Sequence, residues 1–159
     1  MNNNNPKTKT YTVDEALARM MKYCAYQERC HLEVEQKLNE MRMIPAAKEK
    51  IILQLMQDNF LNEERFARAL VRGKYSIKKW GRRKILQQLQ LKQISPYLKK
   101  QAIEEEIDAD VYYQNLLYWA EKKATQLGKL NAQNKQKIVQ FLYSKGYETE
   151  MIYDVINNL

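Results

Sequence analysis

The chain has 159 residues, 45% apolar and 10% aromatic, with 27 basic and 19 acidic side chains giving a net charge of +8. This length fits one domain or a short repeat array, and four glycines and three prolines are too few for a turn-rich β-sandwich. No run approaches the roughly 18 apolar residues a membrane span requires, and the polar, Asn-rich start has no apolar signal core, so a cytoplasmic protein is expected.

Residues 1–12 read as a disordered tail. The first helix runs from Val13 to Tyr26. Thr12 serves as its N-cap, Asp14 and Glu15 occupy the dipole-favoured first turn, and Val13, Leu17 and Met21 form a stripe at helical spacing. Cys24 and Cys30 read as reduced thiols. His31 is the only histidine, too few ligands for a zinc site, and its place beside Cys30 suggests an ordinary helix start. A second helix carries Val34 and Leu38. A third starts at Pro45, where the fixed φ of proline suits the first helical turn. These three helices make a first repeat over residues 13–60.

The second repeat, residues 61–106, opens on Leu61-Asn62-Glu63-Glu64: an apolar residue, an N-cap, then acids. Its first helix carries Phe66 and Leu70, its second Ile85 and Leu89, and its third starts at Pro96 behind a Ser95 N-cap. Residues 61–103 hold twelve basic and two acidic side chains, whereas residues 1–60 are nearly neutral and residues 104–159 carry a net −3. Seven cations fall within Arg72–Lys84 with no acid among them: Arg72, Lys74, Lys78, Lys79, Arg82, Arg83 and Lys84. Tyr75 and Trp80 are interleaved. Cations meet phosphate oxygens, and an aromatic ring stacks on a base or a guanidinium. A merely solvated face usually mixes both signs, so this run points to a polyanion or an acidic partner. Trp80 reads equally as a stacking residue and as a half-buried lid on the helix junction. Gly81 lies one turn before Ile85 and is read as a close-packing site rather than a partner contact. Arg83 and Gln87 lie off the Ile85/Leu89 face and are expected to face solvent.

The third repeat, residues 107–159, opens on Ile107-Asp108-Ala109-Asp110, parallel to the start of the second. Tyr112, Tyr113, Leu116, Tyr118 and Trp119 lie on one long helix that ends at Gly128, and most of its aromatics read as packing. Ile138 and Leu142 mark the second helix, Lys145-Gly146-Tyr147 a glycine-terminated turn, and Thr149 the third start. The acids Glu104, Glu105, Glu106, Asp108 and Asp110 read as a charged helix end and the next start rather than a metal or acid–base site.

Aligning the repeats superposes Val34, Leu38, Met43, Ile51 and Ile52 on Ile85, Leu89, Ile94, Ala102 and Ile103, and on Ile138, Leu142, Tyr147, Val155 and Ile156. The copies stand 51 and 53 residues apart. Such a period marks a supersecondary unit that must stack on its neighbours. The expected architecture is all-α: three helix-turn-helix-like repeats in an elongated, curved array. At the glycine position of the third turn the other repeats carry Arg42 and Gln93. No phosphate loop, metal-ligand set or nucleophile elbow is present, so neither enzyme activity, metal nor cofactor is expected.

Leu61-Asn62-Glu63-Glu64-Arg65-Phe66-Ala67-Arg68, then Lys78-Lys79-Trp80-Gly81-Arg82, then Ile85 and Leu89, resemble the RecX family of bacterial RecA regulators. The resemblance spans roughly residues 13–159 and includes three tandem three-helix repeats; Arg42 and Gln93 depart from the family's frequent turn glycines. It implies a modulator of recombination, DNA repair and the SOS response that binds the RecA–DNA filament and inhibits recombinase and ATPase activity. It would act as a monomer. The residues expected to touch RecA or single- and double-stranded DNA are Arg72, Lys74, Lys78, Lys79, Trp80, Arg82, Arg83 and Lys84. The competing reading is a helix-turn-helix DNA-binding protein acting without RecA, which the single basic repeat disfavours. A bare structural scaffold leaves the charge concentration unexplained.

Overall fold

The computed structural model describes residues 9–159; residues 1–8 of the expected tail lie outside the described residues. Among them the fold is all-α, with nine helices in three consecutive three-helix repeats. They are α1 (Val13–Tyr26), α2 (His31–Glu40), α3 (Pro45–Gln57), α4 (Glu63–Ser76), α5 (Arg82–Leu91), α6 (Pro96–Glu106), α7 (Ala109–Leu127), α8 (Ala132–Ser144) and α9 (Thr149–Asn157). The chain divides into two compact units, one ending at Phe66 and the other Ala67–Leu159, so the second repeat from Ala67 onward shares one body with the third.

In the first unit, Thr12 and Glu15 exchange backbone–side-chain hydrogen bonds of 3.1 and 3.2 Å, a complete capping box at the start of α1. Ala16, Met20, Cys24, Val34, Leu38, Ile51, Leu55 and Leu61 form the core. Tyr11 packs against it, with Arg19 4.8 Å above the Tyr11 ring. After α1, Arg29 lies 3.7 Å over the Tyr23 ring and donates to the Tyr23 carbonyl. Cys24 and Cys30 are buried free thiols. Burial pushes the Cys30 thiol up to about 11.

The turn from second to third helix is built the same way in every repeat. The residue three beyond the helix, Met43, Ile94 or Tyr147, donates its N–H to the carbonyl of Leu38, Leu89 or Leu142. The residue before it, Arg42, Gln93 or Gly146, donates to Asn39, Gln90 or Tyr143. This is the Schellman arrangement, which satisfies carbonyls a helix end leaves orphaned. It requires positive φ at the middle residue: 60° at Arg42, 58° at Gln93 and 98° at Gly146. The aligned apolar pairs therefore mark a turn motif as well as a core face.

In the second unit, Ile85, Leu89, Ile94 and Ala102 from the second repeat are buried, as are Tyr112, Leu116, Ile138, Leu142, Tyr147, Ile152 and Val155 from the third. Ser95 and Asp108 cap α6 and α7 through their side chains, and Gly128 ends α7 at φ 82°. The last two acids of α6 are spent on ion pairs. Arg68 meets Glu105 and Glu106, and Arg72 meets Glu106 at 2.9 Å.

Candidate nucleic-acid interface

The α4–α5 loop carries the middle of the basic run, and hydrogen bonds fix its backbone. The Ile77 and Lys78 N–H groups donate to the Gly73 carbonyl, and the Trp80 N–H donates to Lys74 at 2.9 Å. Lys79 sits at φ 54°, in the left-handed region a side-chain-bearing residue seldom adopts. Its carbonyl is held from the third repeat, accepting from Trp119 Nε1 at 2.9 Å and from the Tyr147 hydroxyl at 2.7 Å.

Gly81 then runs directly against the α8–α9 turn. Its N–H donates to the Lys145 carbonyl at 2.7 Å, and the Arg83 N–H donates to Gly146 at 3.0 Å. A Cβ at Gly81 would overlap the Gly146 carbonyl group and the Tyr147 nitrogen. Packing accounts for this glycine, and its partner is the third repeat.

Two arginines of the run, Arg82 and Arg83, are taken up by the same seam. Arg82 lies 3.9 Å over the Tyr112 ring, pairs with Glu148 at 3.2 Å, and donates its backbone N–H to the Tyr112 hydroxyl. That hydroxyl donates to Glu148 at 2.7 Å. Burial, reinforced by Glu148, holds the Tyr112 phenol well above its ordinary range and keeps it a donor. Arg83 is half-buried rather than solvent-facing. Its guanidinium lies 3.8 Å over Tyr143 and reaches the Tyr143 and Tyr147 carbonyls at 3.3 and 3.4 Å. The helical period gave the face of α5 that Arg83 occupies; it did not show that the third repeat covers that face. Gln87, one turn on, is exposed.

The lysines are disposed differently. Among the described residues no carboxylate stands within ion-pair distance of Lys74, Lys78, Lys79 or Lys84. Lys84 and Lys74 flank Trp80, their ammonium groups 4.2 and 4.7 Å from its ring centre, and the ring is half-buried. Trp80 is thus both a lid on the junction and a surface for cations. Lys79 reaches 5.5 Å from Tyr118 on α7.

The third repeat adds cations that the sequence alone did not single out. Lys122 lies 5.3 Å from the Trp119 ring and 5.6 Å from Tyr118, and Lys145 lies 4.2 Å from Trp119. Burial, then the charges of Lys84 and Lys122, push the Lys145 ammonium below its ordinary range. The signal was masked because these lysines belong to a stretch, residues 104–159, of net negative charge. Among the described residues no group of His, Cys, Asp or Glu could hold a metal ion.

Residues 62–103 match the family model for the second three-helix domain of RecX, and residues 110–156 match that for its third. The chain belongs to the RecX family. It is 35% identical over 130 residues to the regulatory protein RecX of Clostridium botulinum, covering 78% of this chain and 58% of that protein. It is 27% identical over 145 residues to the regulatory protein RecX of Lactobacillus johnsonii, covering 91% and 53%. The chain therefore spans about half the length of the curated RecX proteins it matches. The crystal structure of RecX from Lactobacillus salivarius has the same fold, with a TM-score of 0.83 at 24% identity over 92% of this chain and 96% of that one. The curated RecX relatives carry the name of regulatory proteins.

Proposed function

We propose that this chain binds the RecA–DNA filament and inhibits its ATPase and recombinase activity, with the basic second repeat meeting the filament's negative charge. The observation that carries this reading is the set of second-repeat lysines, Lys74, Lys78, Lys79 and Lys84, without a carboxylate partner among the described residues. An unpaired cluster of one sign attracts a polyanion and steers its approach. The partner would be RecA together with DNA, met in the cytoplasm by a monomer. No helix among the described residues is long and apolar enough to cross a membrane.

The single-stranded-DNA-dependent ATPase of the cognate RecA, measured with this protein at substoichiometric ratio, tests the proposal. The expected result is inhibition that tracks loss of filament. Full ATPase activity, with salt-sensitive binding to naked DNA retained, would replace it with a DNA-binding protein that acts without RecA.

A further inference from the structure

We infer that the second and third repeats together form one binding surface for single-stranded nucleic acid, with Lys79, Lys84, Lys122 and Lys145 on the phosphates and Tyr118 offered to an unpaired base. This assignment rests on the nucleic-acid part of the proposed function and moves its contact off the arginines. Arg72, Arg82 and Arg83 hold carboxylates, rings and carbonyls of their own chain. The four lysines have no ion-pair partner among the described residues, and they are linked through shared neighbours. Lys79 and Lys122 share the Tyr118 ring, while Lys122 and Lys145 share Trp119. The start of the Lys84 side chain packs against Gly146, next to Lys145, and burial, then the charges of Lys84 and Lys122, push the Lys145 ammonium below its ordinary range. Like charges gathered this closely repel one another, and an anion laid across them relieves that repulsion.

Two further observations favour this surface. Lys79 occupies a left-handed backbone conformation that glycine adopts freely, yet two hydrogen bonds from the third repeat hold it there. Those two bonds fix the backbone from which the Lys79 side chain departs. The aromatic rings decide the class of polyanion. Tyr118 is 44% exposed beside the lysines, and an aromatic ring stacks on a base only when that base is unpaired. A duplex keeps its bases stacked inside, and an acidic peptide has none.

The test is fluorescence anisotropy with labelled oligo(dT), on the wild-type chain, the triple variant Lys84→Gln/Lys122→Gln/Lys145→Gln, and Lys79→Gly. Circular dichroism checks each for helicity and melting. The triple variant should bind at least about tenfold more weakly and lose about 2 from the slope of log K against log salt, at roughly 0.7 per single-strand phosphate contact. Lys79→Gly should melt no lower than wild type and still bind several-fold more weakly. Unchanged affinity and slope in a folded triple variant would overturn the inference. So would tighter binding of a duplex of equal length, or equal competition by polyglutamate. The RecA ATPase assay separates this inference from the reading it rests on. A wild-type chain that leaves RecA untouched, with a triple variant that loses oligo(dT), keeps the surface and removes the RecA role. A chain that inhibits RecA, with a triple variant that binds oligo(dT) as wild type, does the reverse.

Discussion

At Gly81 a single methyl group decides whether two repeats can touch. The added carbon would meet backbone at Gly146 and Tyr147, which cannot move aside as a flexible side chain does. Gly81→Ala should therefore destabilise the second unit by about 3 kcal/mol, the upper part of the usual range for overpacking, measured by urea unfolding. Gly73 provides the contrast. It lies inside α4 with nothing within 4 Å of an added Cβ, so Gly73→Ala should stabilise by about 0.5–1 kcal/mol. Both glycines stand beside the same basic run, and only one was marked by its spacing from Ile85. That spacing identified Gly81 as a packing position but left its partner unnamed, because Gly146 lies in a different repeat. Arg83 was misjudged for the same reason: a helical period describes one helix, and the covering surface came from another.

At the scale of elements the helix starts were legible, because each depends on local chemistry. Thr12, Asn62, Ser95 and Asp108 accept hydrogen bonds from backbone N–H groups three residues on. Pro45 and Pro96 take the first helical turn without losing a hydrogen bond. Helix ends were legible as positions but not all as conformations. Gly146 announces a left-handed turn, while Arg42 and Gln93 adopt the same turn without the residue that favours it. The apolar pairs on either side, Leu38/Met43 and Leu89/Ile94, impose it. Arg42→Gly and Gln93→Gly should each raise stability by about 0.5–1 kcal/mol, since the left-handed penalty for an L-residue exceeds the entropy glycine loses. Thermal melts of the two single variants check this, and a fall in either would mean the side chain contributes more than the backbone strain removes.

At the scale of the whole molecule, the buried hydroxyls and thiols set how the protein meets alkali. Tyr112 and Tyr147 are fully buried, and burial raises both phenols above the ordinary value near 10. The folded state resists their ionisation while the unfolded state does not. The stability they contribute is complete below about pH 10 and is lost as pH rises beyond it. Burial raises Cys24 and Cys30 in the same direction from a starting value of 9.0, so the first unit begins to lose stability lower, above about pH 9. Melting temperature should stay flat from pH 7 to 9 and then fall increasingly steeply to pH 11. Tyr147→Phe should flatten the upper part of that fall. An unchanged alkaline slope in Tyr147→Phe would mean that its hydroxyl ionises as freely in the folded chain as in the unfolded one. Net charge by repeat was equally open to reading at this scale, but charge assigned to stretches of sequence concealed Lys122 and Lys145 within a negative one.

The glycine-to-glycine seam also bears on how such an array can be rebuilt. The counterparts of Gly81 at the same helix start are Cys30 and Asn131, and those of Gly146 are Arg42 and Gln93. Every one of these four carries a Cβ. The repeats share a blueprint yet are not interchangeable bricks: a shuffled chain that places the first repeat after the second would bring Arg42 to the place Gly146 holds. Order along the chain is written into the join, so an engineer extending this protein would have to transplant repeats two and three as a single cassette.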